Sequence, residues 1–491
     1  MLELILRDAP ANVQIADDVR DWYNGILETE RTSIMLSQLT DIPIAGVDHR
    51  LMSYQRVGVN FLIRHKRCIL ADDVGLGKTA QVLEAMEAIN TQGRVLIICT
   101  NSSKYWWREE IEKWFPGKSR IVIESAKRNA LFADFKREAE FLIINWEAVR
   151  LMPELKQVPW QWIVADEAHR LKDRNTIVRN AVNALHSNRI VLVTATPVVN
   201  MPADLWSLLN LLYPERYPSY WRFYEMYVNY TIGWHGYKEI NRDAPVRNPE
   251  LLQRELAPVM LRRTRTQYRK TLPPQYKEIP LMLTPQQIRM YKTMAREMYT
   301  SLEAMNMGAC ILRLRQIVST TATLQDSDYS SKLDAAVEII TDMASESFVV
   351  FTMFRDTALA LKKRLVARYI TCGLILGMQT PAERTETVKL FQEKKQRVVI
   401  ATIQAGGESL TLTAAHQVLF IDKHYSSTIQ EQAVGRIDRF GQTQQCLVTS
   451  LLCHHTVDDL VEEILAYKER MIDRVLQEKF FESLQDSLAN L

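Results

Sequence analysis

The sequence is poor in the features that would take this chain out of a reducing compartment. Six cysteines are scattered through 491 residues, Cys68, Cys99, Cys310, Cys372, Cys446 and Cys453, and no two form a Cys-x-x-Cys pair. That scatter argues against a disulfide scaffold and fits the inside of a cell. No apolar run reaches the length of a membrane span, and the run at Met1–Arg7 is too short for a signal peptide. Low-complexity tracts and fixed-period repeats are also missing. Neither sign of charge dominates: the net charge is +3, so a nucleic-acid track has to come from local clustering. What remains, 47% hydrophobic and 24% charged residues, is ordinary for a globular protein. The length suits roughly three domains.

One stretch carries the strongest chemical signal, Ile69-Leu-Ala-Asp-Asp-Val-Gly-Leu-Gly-Lys-Thr-Ala80. An apolar run ends in a turn holding Asp73, Gly75 and Gly77, and Lys78, Thr79 and Ala80 lead into an amphipathic helix. Such a turn aims backbone N–H groups and a helix N-terminus at one point, which suits the phosphates of a nucleotide. Lys78 can reach the terminal phosphates and the Thr79 hydroxyl can ligate Mg²⁺. Asp72 stands where the pattern usually opens with Gly.

A second stretch, Trp162-Ile-Val-Ala-Asp-Glu-Ala-His169, ends an apolar strand in two adjacent carboxylates. At the carboxyl end of a parallel strand these point into the ligand crevice. Asp166 can hold the Mg²⁺ water shell, and Glu167 can orient and deprotonate an attacking water. After a further apolar strand, Thr194 and Thr196 fit either plain turn chemistry before Pro197 or hydrogen bonds between the nucleotide site and a neighbouring lobe. Gln55 offers a donor and an acceptor, which suits the adenine edge.

The pattern along the chain sets these motifs in an α/β framework. Residues 1–47 read as a small leading module. From 48 to 218 short apolar strands alternate with amphipathic helices, the strands falling at Arg67–Ala71, Val95–Thr100, Phe141–Asn145, Trp162–Asp166 and Ile190–Thr194. Strands so apolar are covered on both faces, which predicts a parallel sheet. Residues 219–330 read as a mostly helical insertion and lobe connector. Alternation resumes over 331–465, with strands at Ser347–Thr352, Thr371–Leu376, Val398–Thr402, Gln417–Asp422 and Cys446–Leu452, and 466–491 continue as a C-terminal helix.

The ordered motifs resemble the Swi/Snf-type ATPases, a branch of the superfamily-two helicases that translocate on duplex DNA. The resemblance runs from about Leu51 to Leu465. It rests on Tyr54-Gln-Arg-Val-Gly-Val-Asn-Phe-Leu62, the Asp73–Thr79 loop, Asn101–Pro116 with Trp107 and Trp114, and Asp166-Glu-Ala-His-Arg170. Leu261-Arg-Arg-Thr-Arg265 with Leu272-Pro273, Ser330-Ser-Lys-Leu333, Ala405-Gly-Gly407 and Gln432-Ala-Val-Gly-Arg-Ile-Asp-Arg-Phe-Gly-Gln442 follow in order. Departures are Ser409 for the usual Gly, Thr411 for the usual Asn, and Val318-Ser-Thr where relatives carry Asn-His-Pro.

The resemblance implies two RecA-like lobes closing on ATP and Mg²⁺. Arg436 and Arg439 are three apart, hence on one helix face, and a guanidinium from the opposite lobe can neutralise charge on the transferred phosphoryl group. For DNA, Arg262 and Arg263 open a basic stretch to Lys270 that either contacts phosphates or braces the lobes. Asn101, Ser102, Asn145, Thr402 and Gln404 would face the tracking strand by resemblance. Trp106, Trp107 and Trp114 read as packing residues on one helix. The expected protein is a monomeric bare motor in the cytoplasm of a prokaryote or virus-infected cell, partnered by double-stranded DNA and DNA-bound proteins and not by a membrane. The rival readings are an RNA or strand-separating DNA helicase of the same superfamily and a nucleotide-gated DNA-binding scaffold.

Overall fold

A computed structural model describes residues 51–476 except 102, 125–126, 199–200, 233–237, 242–243, 266–271, 301–306, 325–327, 407–409 and 440. The expected leading module, Ser102 and the end of the expected C-terminal helix lie outside the described residues.

The first sheet has seven parallel strands in the order β3-β4-β2-β5-β6-β1-β9. They are β1 (Arg67–Leu70), β2 (Arg94–Cys99), β3 (Arg120–Val122), β4 (Phe141–Asn145), β5 (Trp160–Asp166), β6 (Ser187–Val193) and β9 (Met260–Leu261). Side chains alternate between two buried cores. Ile69, Leu96, Ile98 and Leu142 enter one, while Cys68, Leu70, Val95 and Ile97 enter the other. Each fully buried aliphatic side chain stabilises by about 1.5–3 kcal/mol, so the sheet is held from both faces. Because the strands are parallel, the residues after β1, β5 and β6 emerge at one edge.

The second sheet has six parallel strands in the order β10-β15-β14-β11-β13-β12. They are β10 (Gln275–Leu281), β11 (Phe348–Thr352), β12 (Cys372–Ile375), β13 (Val398–Thr402), β14 (Gln417–Phe420) and β15 (Leu447–Cys453). The two-lobe parallel α/β fold expected from the sequence is present. Helices that bear on the site are α1 (Ser53–Arg64), α2 (Lys78–Ala88), α3 (Ser103–Trp114), α4 (Ser427–Val434) and α5 (Val457–Leu476).

The segment 219–330, expected as a mostly helical insertion and lobe connector, carries helices at Tyr220–Tyr227, Pro249–Leu256, Pro285–Thr300 and Met307–Ser319 together with strands that the sequence pattern does not show. It holds an antiparallel hairpin of β7 (Tyr230–Ile232) and β8 (Lys238–Ile240). It also supplies an edge strand to each sheet, β9 beside β1 and β10 beside β15. Both hide from pattern reading for a physical reason. β9 is two residues long, and β10 leaves Tyr276, Lys277, Glu278 and Pro280 exposed along the sheet margin, where Pro is tolerated and no apolar run forms.

Candidate functional site

The loop after β1 turns on two glycines in the left-handed region, Gly75 at φ +86° and Gly77 at φ +72°. A side chain at Gly77 would also meet Gln55, whose Nε2 lies 2.3 Å from an ideal Cβ. α2 begins at Lys78, and the Lys78 ammonium donates to the carbonyls of Asp72 at 2.7 Å and Asp73 at 3.1 Å. Burial lowers the Lys78 pKa, opposed by the carboxylates of Glu167, Asp72, Asp166 and Asp73. The Gln55 amide is occupied within lobe one: Nε2 donates to Leu76 O at 3.2 Å and Oε1 accepts from Met52 N at 2.9 Å.

Asp72 explains its own departure from the Gly pattern. Its fully buried carboxylate pairs with Arg263, whose side chain is 2% exposed. Arg263 Nε donates to Asp72 Oδ1 at 2.9 Å, and Gln81 Nε2 donates to Asp72 Oδ2 at 3.0 Å. Arg263 also reaches Tyr54 O, and Gln81 Oε1 at 2.6 Å. A buried, bidentate guanidinium, with Gln81 on the same carboxylate, makes an acid tolerable there.

At the end of β5, Asp166 and Glu167 are fixed from several sides. Trp107 Nε1 donates to Asp166 Oδ2 at 3.0 Å, Trp146 Nε1 to Asp166 O at 3.1 Å, and Glu167 N to Asp166 Oδ1 at 3.0 Å. Glu167 adopts φ +54°, a strained conformation for a residue with a side chain, costing on the order of 1 kcal/mol. His169 Nδ1 lies 3.2 Å from Glu167 Oε2 and 3.5 Å from Thr194 Oγ1. Burial, then the Glu167 charge, push the Asp166 pKa up to about 6 against Trp107 and Lys78. Burial also pushes Glu167 upward, but His169, Lys78 and Arg436 outweigh it and hold the carboxyl below its ordinary value. The two neighbours thus titrate apart, Glu167 staying ionised while Asp166 takes the proton first.

The second lobe reaches into the same place. Gln432 Nε2 on α4 donates to Glu167 Oε1 at 3.0 Å. A cleft of about 650 Å³ between the lobes is lined by Gln55, Gly75, Gly77, Lys78, Thr79, Ala80, Asp166 and Glu167 from lobe one. Thr411, Gln432, Arg436 and Arg439 line it from lobe two. The arginines do not share a helix face, as their spacing suggested. α4 stops at Val434, and the chain turns through Arg436 N to Ala433 O at 3.2 Å and Ile437 N to Val434 O at 2.9 Å. Such i→i+3 bonds tighten the helix end, and the turn still delivers both side chains to the cleft. Arg439 Nη1 donates to Thr411 Oγ1 at 3.0 Å.

Other expectations are corrected. Asp73 turns from the cleft to the connector, accepting from Arg265 N at 2.9 Å and lying 3.3 Å from Arg262 Nη2. Arg262 Nη1 donates to Ala71 O at 3.2 Å and Ala195 O at 2.9 Å. Arg262 and Arg263 therefore brace lobe one, and Arg263 is too deeply buried to meet a DNA phosphate. Asn145 is buried too, its amide donating to Glu147 Oε2 at 2.8 Å. Asn101 and Gln404 are exposed and Thr402 is half-buried, beyond or at the carboxyl ends of β2 and β13. Sequence reasoning treated Trp107 as packing and missed its bond to Asp166; its buried indole N–H, which has to find an acceptor, was the available signal.

A model of the SNF2-related domain matches residues 54–328, and one of the helicase conserved C-terminal domain matches residues 331–441. The chain belongs to the SNF2-related family. It carries both the SNF2-related domain and the helicase conserved C-terminal domain. An uncharacterized ATP-dependent helicase of Mycoplasma genitalium, MG018, is 26% identical over 461 residues, covering 89% of this chain and 43% of that protein. The DNA annealing helicase and endonuclease ZRANB3 of Mus musculus is 25% identical over 461 residues, covering 91% of this chain and 42% of that protein. This SNF2-related chain thus spans less than half the length of these two relatives. The Sulfolobus solfataricus SWI2/SNF2 ATPase core in complex with dsDNA aligns at 24% identity and a TM-score of 0.44, over 92% of this chain and 98% of that one. Among the described residues no helix is long and apolar enough to cross a membrane.

Proposed function

We propose that this SNF2-related chain tracks along duplex DNA, driven by ATP hydrolysis in the cleft between its lobes. The observation that carries the reading is the inter-lobe constellation around Glu167, with His169 on one carboxylate oxygen, Gln432 on the other, and Lys78, Arg436 and Arg439 lining the same cleft. In this reading Glu167 is the base that orients and deprotonates the attacking water. Lys78 and the N-terminus of α2 hold phosphates, and Arg436 and Arg439 stabilise charge on the transferred phosphoryl group. Gln55 serves the adenine edge once its amide is released from the loop. Thr79 and Asp166 fit Mg²⁺: both are hard oxygen donors lining the cleft, and the crowding that raises Asp166 is what a dication would relieve. Bound there, Mg²⁺ would neutralise charge on the phosphate oxygens.

Closing the lobes on ATP and opening them after hydrolysis would shift one lobe's grip on the DNA backbone relative to the other. Asn101, Thr402 and Gln404 are the described candidates for that grip. The motor would remodel protein–DNA complexes or branched DNA without necessarily separating strands. The test is triplex displacement on long duplex DNA, run beside ATPase assays with duplex DNA, single-stranded DNA and RNA. Duplex-stimulated ATPase with ATP-dependent displacement is expected; stimulation by RNA alone would overturn the substrate assignment. Glu167→Gln is expected to retain ATP binding and lose turnover by at least about 10²-fold.

A further inference from the structure

The basic connector stretch divides its arginines between two jobs. Arg262 and Arg263 satisfy carbonyls and carboxylates inside lobe one. Arg265 leaves that lobe. Its backbone N–H is tied to Asp73 Oδ2 of the phosphate loop at 2.9 Å, and its guanidinium stands over Gly75, Cζ lying 3.7 Å from where a Cβ would project. From there Nη2 reaches to 3.3 Å from Asp438 Oδ1 in lobe two.

Asp438 sits between Arg436 and Arg439 in the turn that follows α4, with its side chain 4% exposed against 21% for Arg265. The same turn docks on the loop at Gly435, where a Cβ would come within 2.9 Å of Val74 Cγ1. Asp73, Arg265 and Asp438 therefore form an alternating row of charges from the phosphate loop to the arginine turn. Largely excluded from water, such a pair is directional and holds register, and losing one partner strands the other. The Asp438 carboxylate is thereby engaged by a guanidinium of the connector.

We propose that Arg265 and Asp438 are a positioning pair, setting the turn that carries Arg436 and Arg439 against the phosphate loop so that lobe closure and arginine delivery are one event. The inference rests on the reading that these two arginines complete the ATP site. It makes the pair act on turnover and not on ATP capture, which Lys78, Thr79 and lobe one govern.

The test is a double-mutant cycle in the full chain with saturating duplex DNA, using Arg265→Ala, Asp438→Asn and the two combined, each checked by thermal melting. Each single change is expected to lower kcat about tenfold, with KM for ATP and fluorescent-ATP affinity within about twofold, and the double variant to be no worse than the poorer single. Arg265→Lys, which keeps the charge, is expected within about threefold of the parent. Arg265→Gln keeps the stem over Gly75 and repeats the test if the alanine variant unfolds. Unchanged kcat, additive losses, or a rise in KM alone would overturn the proposal. Arg436→Ala is the control: if it leaves kcat unchanged the underlying site reading fails, whereas if it abolishes turnover and the Arg265 variants do not alter kcat, only this inference fails.

Discussion

Asp166 occupies the most demanding electrostatic position in the cleft. Burial and the adjacent Glu167 raise its pKa to about 6, so the folded protein binds that proton more tightly than the unfolded chain does. The stabilisation belonging to the protonated form is present at low pH and is lost as pH rises through about 6. Asp166→Asn should therefore stabilise the metal-free protein by about 1–2 kcal/mol at pH 7.5, after allowance for solvent, with the gain gone near pH 4. Urea denaturation at the two pH values measures it. Trp107 works against the same shift, because its indole N–H favours the carboxylate. Trp107→Phe keeps the packed ring and removes the donor. About a tenfold loss of kcat is expected, with the acidic limb of the pH–rate profile moved upward.

At the scale of elements, the connector does more than join lobes. β9 pairs with β1, which brings Arg263 onto the loop from the far side and matches it to Asp72. Removing the guanidinium would leave a fully buried carboxylate unpaired, so Arg263→Ala should cost about 3–5 kcal/mol by chemical denaturation. The nucleotide loop, the Asp166-Glu167 pair and ten of the strands were legible because each is a local pattern: glycines at fixed spacing, apolar runs ending in acids. Arg263 was legible only as a basic residue, since its partner lies 191 positions away and burial leaves no mark on an arginine's identity. The turn after α4 was misread for a different reason. A three-residue spacing fits a helix face, but Gly435, the residue just past Val434, was the available signal that the helix ends there.

At the scale of the molecule, the lobes meet around the cleft through Gln432 with Glu167, Arg265 with Asp438, and Gly435 against Val74. Gly435→Ala would drive a methyl into Val74 Cγ1 and the Glu431 carbonyl, 2.9 and 3.1 Å from the ideal Cβ. About a tenfold loss of kcat is expected, with the melting temperature little changed, since the closer contact, with Val74, falls between lobes and not within a core. DNA binding gives the complementary check. Because Arg262 and Arg263 are spent inside lobe one, Arg263→Met should leave the slope of log affinity against log salt unaltered, as no phosphate contact is lost. The two-lobe plan itself was readable from strand alternation, but which strand closes each sheet was not, because the closing strands are short or exposed.

The borrowed strands also impose an order on biogenesis. Synthesis runs from the N-terminus, so a nascent chain ending near Pro218 has made Asp72 and the phosphate loop but neither β9 nor Arg263. Its acid would then lack the guanidinium that pairs with it, and the ribosome has to deliver the chain through β9 and Arg263 before lobe one can settle. A fragment cut at the start of the insertion should for that reason be recovered as an aggregate, and the nearest cut that spares the first lobe falls beyond Arg265.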